Sequence, residues 1–159
     1  LSGNDNTDAD PEVLVAIGEL STSIGAADIT EVEMVTTTAD KSDGFTISVR
    51  VRYNEAVDVV TTGGTPTLAV TNSNAGSGSG RGPHSLSYAS GTGTNELIFS
   101  LAIAAANAAT NADDVLTVGA QSIALNSGTI KDASGTASDA AVAISSAQGT
   151  AAGSVTVTA

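Results

Sequence analysis

The chain has 159 residues, and 84 of them are Ala (27), Thr (21), Ser (19) or Gly (17), while Cys and Trp are absent and there is one His. Seventeen acids against five bases give a formal net charge of −12. These numbers exclude a disulfide scaffold, a thiolate nucleophile, a Cys-based zinc or iron–sulfur site and a histidine-rich metal cluster. They also exclude nucleic acid as a partner, because no basic stripe is present to neutralise a phosphate backbone.

The length suits one domain with a thin core. Nine Leu, 15 Val, a few Ile, Phe45, Phe99, Tyr53 and Tyr88 supply nearly all the large apolar side chains. No window approaches 18 consecutive apolar residues, so no membrane insertion is expected. The start, LSGNDNTDADPE, has neither the basic nor the apolar region of a secretory signal. Residues 1–58 hold twelve acids and three bases, so the negative charge is concentrated early.

Residues 1–27 read as an acidic N-terminal arm in which VLVAIGEL (Val13–Leu20) is a short strand or a helical turn. Asp28–Thr38 alternates in part, with Ile29, Val32, Met34 and Val35 as core candidates, and predicts the first strand. Phe45–Tyr53 (FTISVRVRY) is the clearest signal. Phe45, Ile47, Val49, Val51 and Tyr53 share one parity, which is the pattern of a strand with one buried face. Arg50 and Arg52 fall on the polar face and are expected to meet Glu31, Glu33 or other acids across the sheet, or an acidic neighbour in an assembly.

Asn54-Glu55-Ala56 interrupts the alternation before a further apolar stretch, Val57–Val60, and TTGGTP turns the chain into a strand at Thr67–Thr71. Asn72–Pro83 carries four Gly in twelve residues and reads as a surface loop; it fits neither a GxGxxG nor a GxxxxGK[ST] phosphate-binding pattern. Strands are predicted at Ser85–Ala89 and Leu97–Ile103, then a crossover turn at Ala104–Ala109, whose Ala-rich run is too short to stand as a helix. Short strands follow at Val115–Val118, Ser122–Leu125, Thr129–Lys131, Ala140–Ser145 and Ser154–Thr158. Such spacing, with Gly, Asn and Ser between, predicts an all-β sandwich.

Four stretches in this order, GFTISVRVRYNEAVDV, GTPTLAV, SLSYASGTGTNELIFSL and IALNSGTIKDASGTAS, resemble the bacterial immunoglobulin-like repeats of large surface proteins. The matching residues are Tyr53-Asn54-Glu55, Gly64–Leu68, Tyr88–Thr94, Leu97–Phe99 and Leu125–Gly135, and the resemblance spans about residues 28–145. That family occurs in adhesins and on tailed-phage virions. The resemblance implies an immunoglobulin-like Greek-key β-sandwich over residues 28–146; the arm 1–27 before it and a strand-like C-terminal tail, 147–159, depart from a single repeat.

The resemblance implies a non-catalytic presentation or interaction domain, and the extra arm and tail, which a single repeat would not need, point to a phage capsid decoration or other virion surface subunit that binds the major capsid protein or further copies of itself. A module of a secreted adhesin or matrix protein, extracellular or on the bacterial cell surface, is the alternative. A carbohydrate-binding module for a host surface glycan is a third option, disfavoured by the scarcity of aromatic residues.

The polar residues offer little chemistry. His84 has no Ser/Asp arrangement for a triad and, following Pro83, is expected at the surface or in an interface. Nothing fixes two carboxylates at the separation that glycoside hydrolysis requires. Neither a catalytic nor a cofactor-binding residue is assigned. Calcium is the one candidate ion, with Asp113 and Asp114 as leading ligands and Asp132, Glu55, Glu96, Asp40 and Asp43 as further ones, although no DxDxDG loop is present.

Overall fold

A computed structural model describes residues 25–73, 82–107, 109–133 and 138–159. The strand or helical turn expected at Val13–Leu20 and the Gly-rich stretch 74–81 lie outside the described residues. The described chain is nearly all β. Its elements are β1 (Ile29–Met34), β2 (Ala39–Asp40), β3 (Phe45–Val60), β4 (Thr67–Ser73), β5 (His84–Ser90) and β6 (Thr94–Ile103). They continue with β7 (Val115–Thr117), β8 (Gln121–Ser122), β9 (Thr129–Asp132), β10 (Ala143–Ile144), α1 (Ser146–Ala151) and β11 (Ser154–Thr158).

One curled sheet runs β1-β3-β6-β5-β4-β7-β11-β2, with β9 added to β3, and β8 and β10 form a separate pair. β4 is shared along this path, pairing with β5 over Thr67–Val70 and with β7 over Thr71–Ser73. The core holds Ile47, Val49, Val51, Tyr53 and Val57 of β3, Leu97 and Phe99 of β6, Leu68 and Val70 of β4, Leu116 of β7, and Val155 and Val157 of β11. Period-two burial along β3 follows the parity of its sequence. Tyr88 and Phe99 meet edge to face with ring centroids 6.1 Å apart.

One expectation changes. Asn54-Glu55-Ala56 does not end the strand: β3 runs 16 residues and absorbs the irregularity as a bulge. Its pairing with β6 jumps from Arg52↔Glu96 to Val57↔Thr94, after which Val57–Val60 takes β9 as an additional partner. The strand expected at Ser154–Thr158 forms as β11. β11 sits inside the sheet, antiparallel to β7 and parallel to β2, and buries Val155 and Val157.

A short helix, α1, precedes β11, started by a capping box in which the Ser145 side chain accepts from the Gln148 N–H and the Gln148 side chain accepts from the Ser145 N–H. Gln148 Nε2 also donates to the Ile29 carbonyl at 2.6 Å, and Met34 N–H donates to the Ala152 carbonyl at 2.8 Å. The α1 turn thereby covers the open edge of β1, which would otherwise present unpaired backbone groups.

Candidate functional site

Asp113 and Asp114 do not converge. Asp113 adopts φ of 69° and is exposed, whereas Asp114 is fully buried. The Asp114 carboxylate accepts from the Asn111 N–H at 2.7 Å and from Asn72 Nδ2 at 3.0 Å. Asn72 Nδ2 also lies 3.3 Å from His84 Nε2. His84 is 6% exposed rather than at the surface, because it shares the inward parity of Leu86 on β5 and pairs with Val70 of β4. Burial lowers its pKa below the ordinary imidazole value, an effect Asp114 opposes.

A second group lies along the bulge of β3. Asp132 is 2% exposed on β9, in register with Val57, and the Glu55 Oε1 atom is buried without a hydrogen-bond partner. Desolvation, then the nearby Asp132 and Asp28 carboxylates, raise the Glu55 pKa. Asp28 is itself tied to this end, its N–H donating to Asn54 Oδ1 at 2.8 Å.

The other calcium candidates are engaged elsewhere or stand apart. Glu96 belongs to the arginine ladder, Asp40 accepts from the Ser42 N–H and hydroxyl, which lowers its pKa, and Asp43 is exposed. Among the described residues no group of three or more His, Asp or Glu is placed to hold a metal ion. The structure thus brings Glu55 and Asp132 into one neighbourhood but does not gather the candidates into one site.

The arginine ladder meets its expectation. Arg50 bridges Glu33 and, at 3.6 Å, Glu96; Arg52 bridges Glu31 and Glu96, each at 2.6 Å. The Arg52 hydrogen bonds lower the Glu96 pKa, and the Glu96 carboxylate raises that of Arg52. The five side chains are a third to a half exposed, so the ladder joins β1, β3 and β6 on a wet face and adds little stability per pair.

The motif residues that carry the resemblance perform structural tasks. The backbone at Gly63-Gly64 lies directly on the Asn126-Ser127 turn, where a methyl on Gly64 would run into the Asn126 carbonyl oxygen. Asn126 Nδ2 locks this contact by donating to the Thr65 carbonyl at 2.9 Å. The Gly-Thr-Pro and Leu-Asn-Ser-Gly stretches, about sixty residues apart in sequence, are therefore two halves of one joint. In the Tyr-Ala-Ser-Gly-Thr-Gly turn, the Thr92 N–H donates to Tyr88 Oη at 2.8 Å and the Gly93 N–H to the Val57 carbonyl at 2.8 Å.

Two depressions open on the surface. One, of about 460 Å³, is lined by Lys41, Ser42, Ala106, Asn111, Ala112 and Ala159; the other, of about 370 Å³, lies between β7 and α1. Within the first, Lys41 Nζ donates to Asn111 Oδ1 at 2.9 Å and the Ala106 N–H donates to the Lys41 carbonyl at 2.7 Å. Neither depression is lined by any of the sequence-predicted site residues. No described helix is long and apolar enough to cross a membrane. No family model, no curated protein and no solved structure matches the chain.

Proposed function

We propose that the protein is a non-catalytic structural module with an immunoglobulin-like fold. We further propose that it works as a multi-copy surface subunit, most directly a phage capsid decoration held to the major capsid protein and to other copies of itself on the virion surface. Strand order is the observation that carries the fold half of this reading. Taken as two layers that meet at β4, the orders β1-β3-β6-β5 and β4-β7-β11-β2 follow the A-B-E-D and C-F-G orders of an immunoglobulin constant-type sandwich, with β2 pairing with the last strand. The tasks of the motif residues support the non-catalytic half, since they join loops and turns.

With β11 used inside the sandwich, the grip on neighbours falls to the acidic residues 1–24. Hydrogen exchange on free and particle-bound protein tests this. The expected result is slower exchange in residues 1–24 on the particle; equal exchange in both states would contradict the decoration reading.

The path of the chain favours a second reading, a module in a secreted adhesin or matrix protein. β1 and β2 carry the chain from the Tyr53 end of β3 to its Phe45 end, and β11, parallel to β2, runs toward the same Phe45 end. The chain thus passes through the sandwich from end to end, as a link in a string of domains does. The intact mass of the native polypeptide separates the two readings: further sandwiches on the same chain support the adhesin, and their absence supports the free subunit.

A further inference from the structure

His84 is the chain's single histidine and is almost wholly withdrawn from water. Its Nε2 faces Asn72 Nδ2 at 3.3 Å, and an amide NH2 group can only donate. Nε2 therefore accepts, which makes the imidazole neutral with its proton on Nδ1. The Asn72 amide is not free to turn over. Its Nδ2 also donates to Asp114 Oδ2 at 3.0 Å and faces the Ala109 carbonyl at 3.5 Å, so the flipped amide would set Oδ1 against two acceptors. In the observed orientation Asn72 Oδ1 is buried without a partner.

We infer that His84, Asn72 and Asp114 form an acid-sensitive latch, which ties β4, β5 and the turn before β7 together while the imidazole is neutral and releases when it gains a proton. A proton on Nε2 would point an N–H at an NH2 group. Asn72 must then swing. Turning Oδ1 toward the imidazolium gives that buried oxygen a donor, but withdraws Nδ2 from Asp114 and so unties β4 from the turn. Leaving the imidazole altogether breaks the side-chain link between β4 and β5 at the end of their backbone pairing.

Among the described residues, Asp114 is the charged group recorded as acting on His84, and its attraction for the imidazolium is outweighed by burial. β4 contributes the uncharged Val70 and Asn72. The unfolded chain takes up its proton at the ordinary value of 6.5, and the folded chain does so only at lower pH. Between those two values the unfolded state holds the extra proton. Each unit of acidification in that window therefore shifts the equilibrium toward unfolding by up to about tenfold.

The experiment uses the full chain. NMR follows the single imidazole and the Asn72 side-chain amide from pH 8 to pH 4.5, and urea unfolding is measured across the same range for the wild type and His84→Gln. The latch predicts an imidazole midpoint below 6.5, Asn72 amide resonances that move with that midpoint, and loss of the tenfold-per-unit acid slope in His84→Gln. An imidazole that titrates at or above 6.5, an Asn72 amide that stays still through the histidine midpoint, or an acid slope unchanged in the variant overturns it. Should His84→Gln fail to fold, the wild-type titration decides alone.

Discussion

The sheet path contains a gap that a side chain fills, and removing that side chain should be costly. β4 pairs with β7 only from Thr71 onward, and lower down Thr67 exchanges two backbone hydrogen bonds with Ala124. Between them the chain detours through Gly119–Gln121. The Gln121 amide takes the place of a strand there: Oε1 accepts from the Ala69 N–H at 3.0 Å and Nε2 donates to the Ala69 carbonyl at 2.7 Å.

A net hydrogen bond contributes about 0.5–1.5 kcal/mol, and a buried group left unpaired costs about 1–3 kcal/mol. Ala69 is half-buried, so water relieves part of that loss. Gln121→Ala should therefore destabilise by about 1–3 kcal/mol, or about 2–4 °C in Tm per kcal/mol for a chain of this size. Gln121→Glu keeps the acceptor but sets a carboxylate against the Ala69 carbonyl, so it should lose as much at pH 7 and recover part of it in acid. Urea unfolding at equilibrium measures both. A Gln121→Ala loss below about 0.5 kcal/mol would refute the strand-substitute role.

Four further variants probe other parts of the account. Gly64→Ala should destabilise by about 3 kcal/mol or more in urea unfolding, since its methyl meets a backbone carbonyl rather than a movable side chain, whereas Gly119→Ala, with open space at its Cβ, should cost far less. Glu55→Gln should stabilise the protein at neutral pH. The folded Glu55 pKa is raised, so the wild type gains stability as pH falls through that value toward the unfolded one, and melting curves at pH 7 and pH 4 should show the variant's advantage shrinking in acid. Arg52→Gln should lower the melting temperature only slightly and less so at 1 M salt, because the ladder is exposed and screened; a large loss independent of salt would contradict this.

Local patterning made the two longest strands readable. Phe45–Tyr53 alternates strictly, and Leu97–Ile103 keeps its large apolar side chains on one parity apart from Ile98, because each has one face on the core. The missed features depend on partners far along the chain or on small signals inside Ala- and Ser-rich stretches. The alternation of β5 begins at His84, so including that residue in the strand would have turned its side chain inward, where reading it as a loop boundary left it outside. The capping box Ser145-Ser146-Ala147-Gln148 announces α1, but the helix is too short for its periodicity to show.

Asp113 and Asp114 are adjacent in sequence, yet a left-handed residue at Asp113 sends one carboxylate to solvent while the other turns into the core. The Gln121 strand substitute had no local signal at all, because its partner, Ala69, is 52 residues away. Of the calcium candidates, only the nearness of Glu55 and Asp132 emerged from folding, and it depends on β9 pairing with the far end of β3.

Quantitative mass spectrometry of purified virus particles, set against the cell-envelope fraction of the same culture, tests the central claim most directly. The account predicts the chain in purified particles at many copies per particle, in a fixed ratio to the major capsid protein. Its absence from particles, with recovery only from the cell envelope or the medium, would contradict the decoration reading.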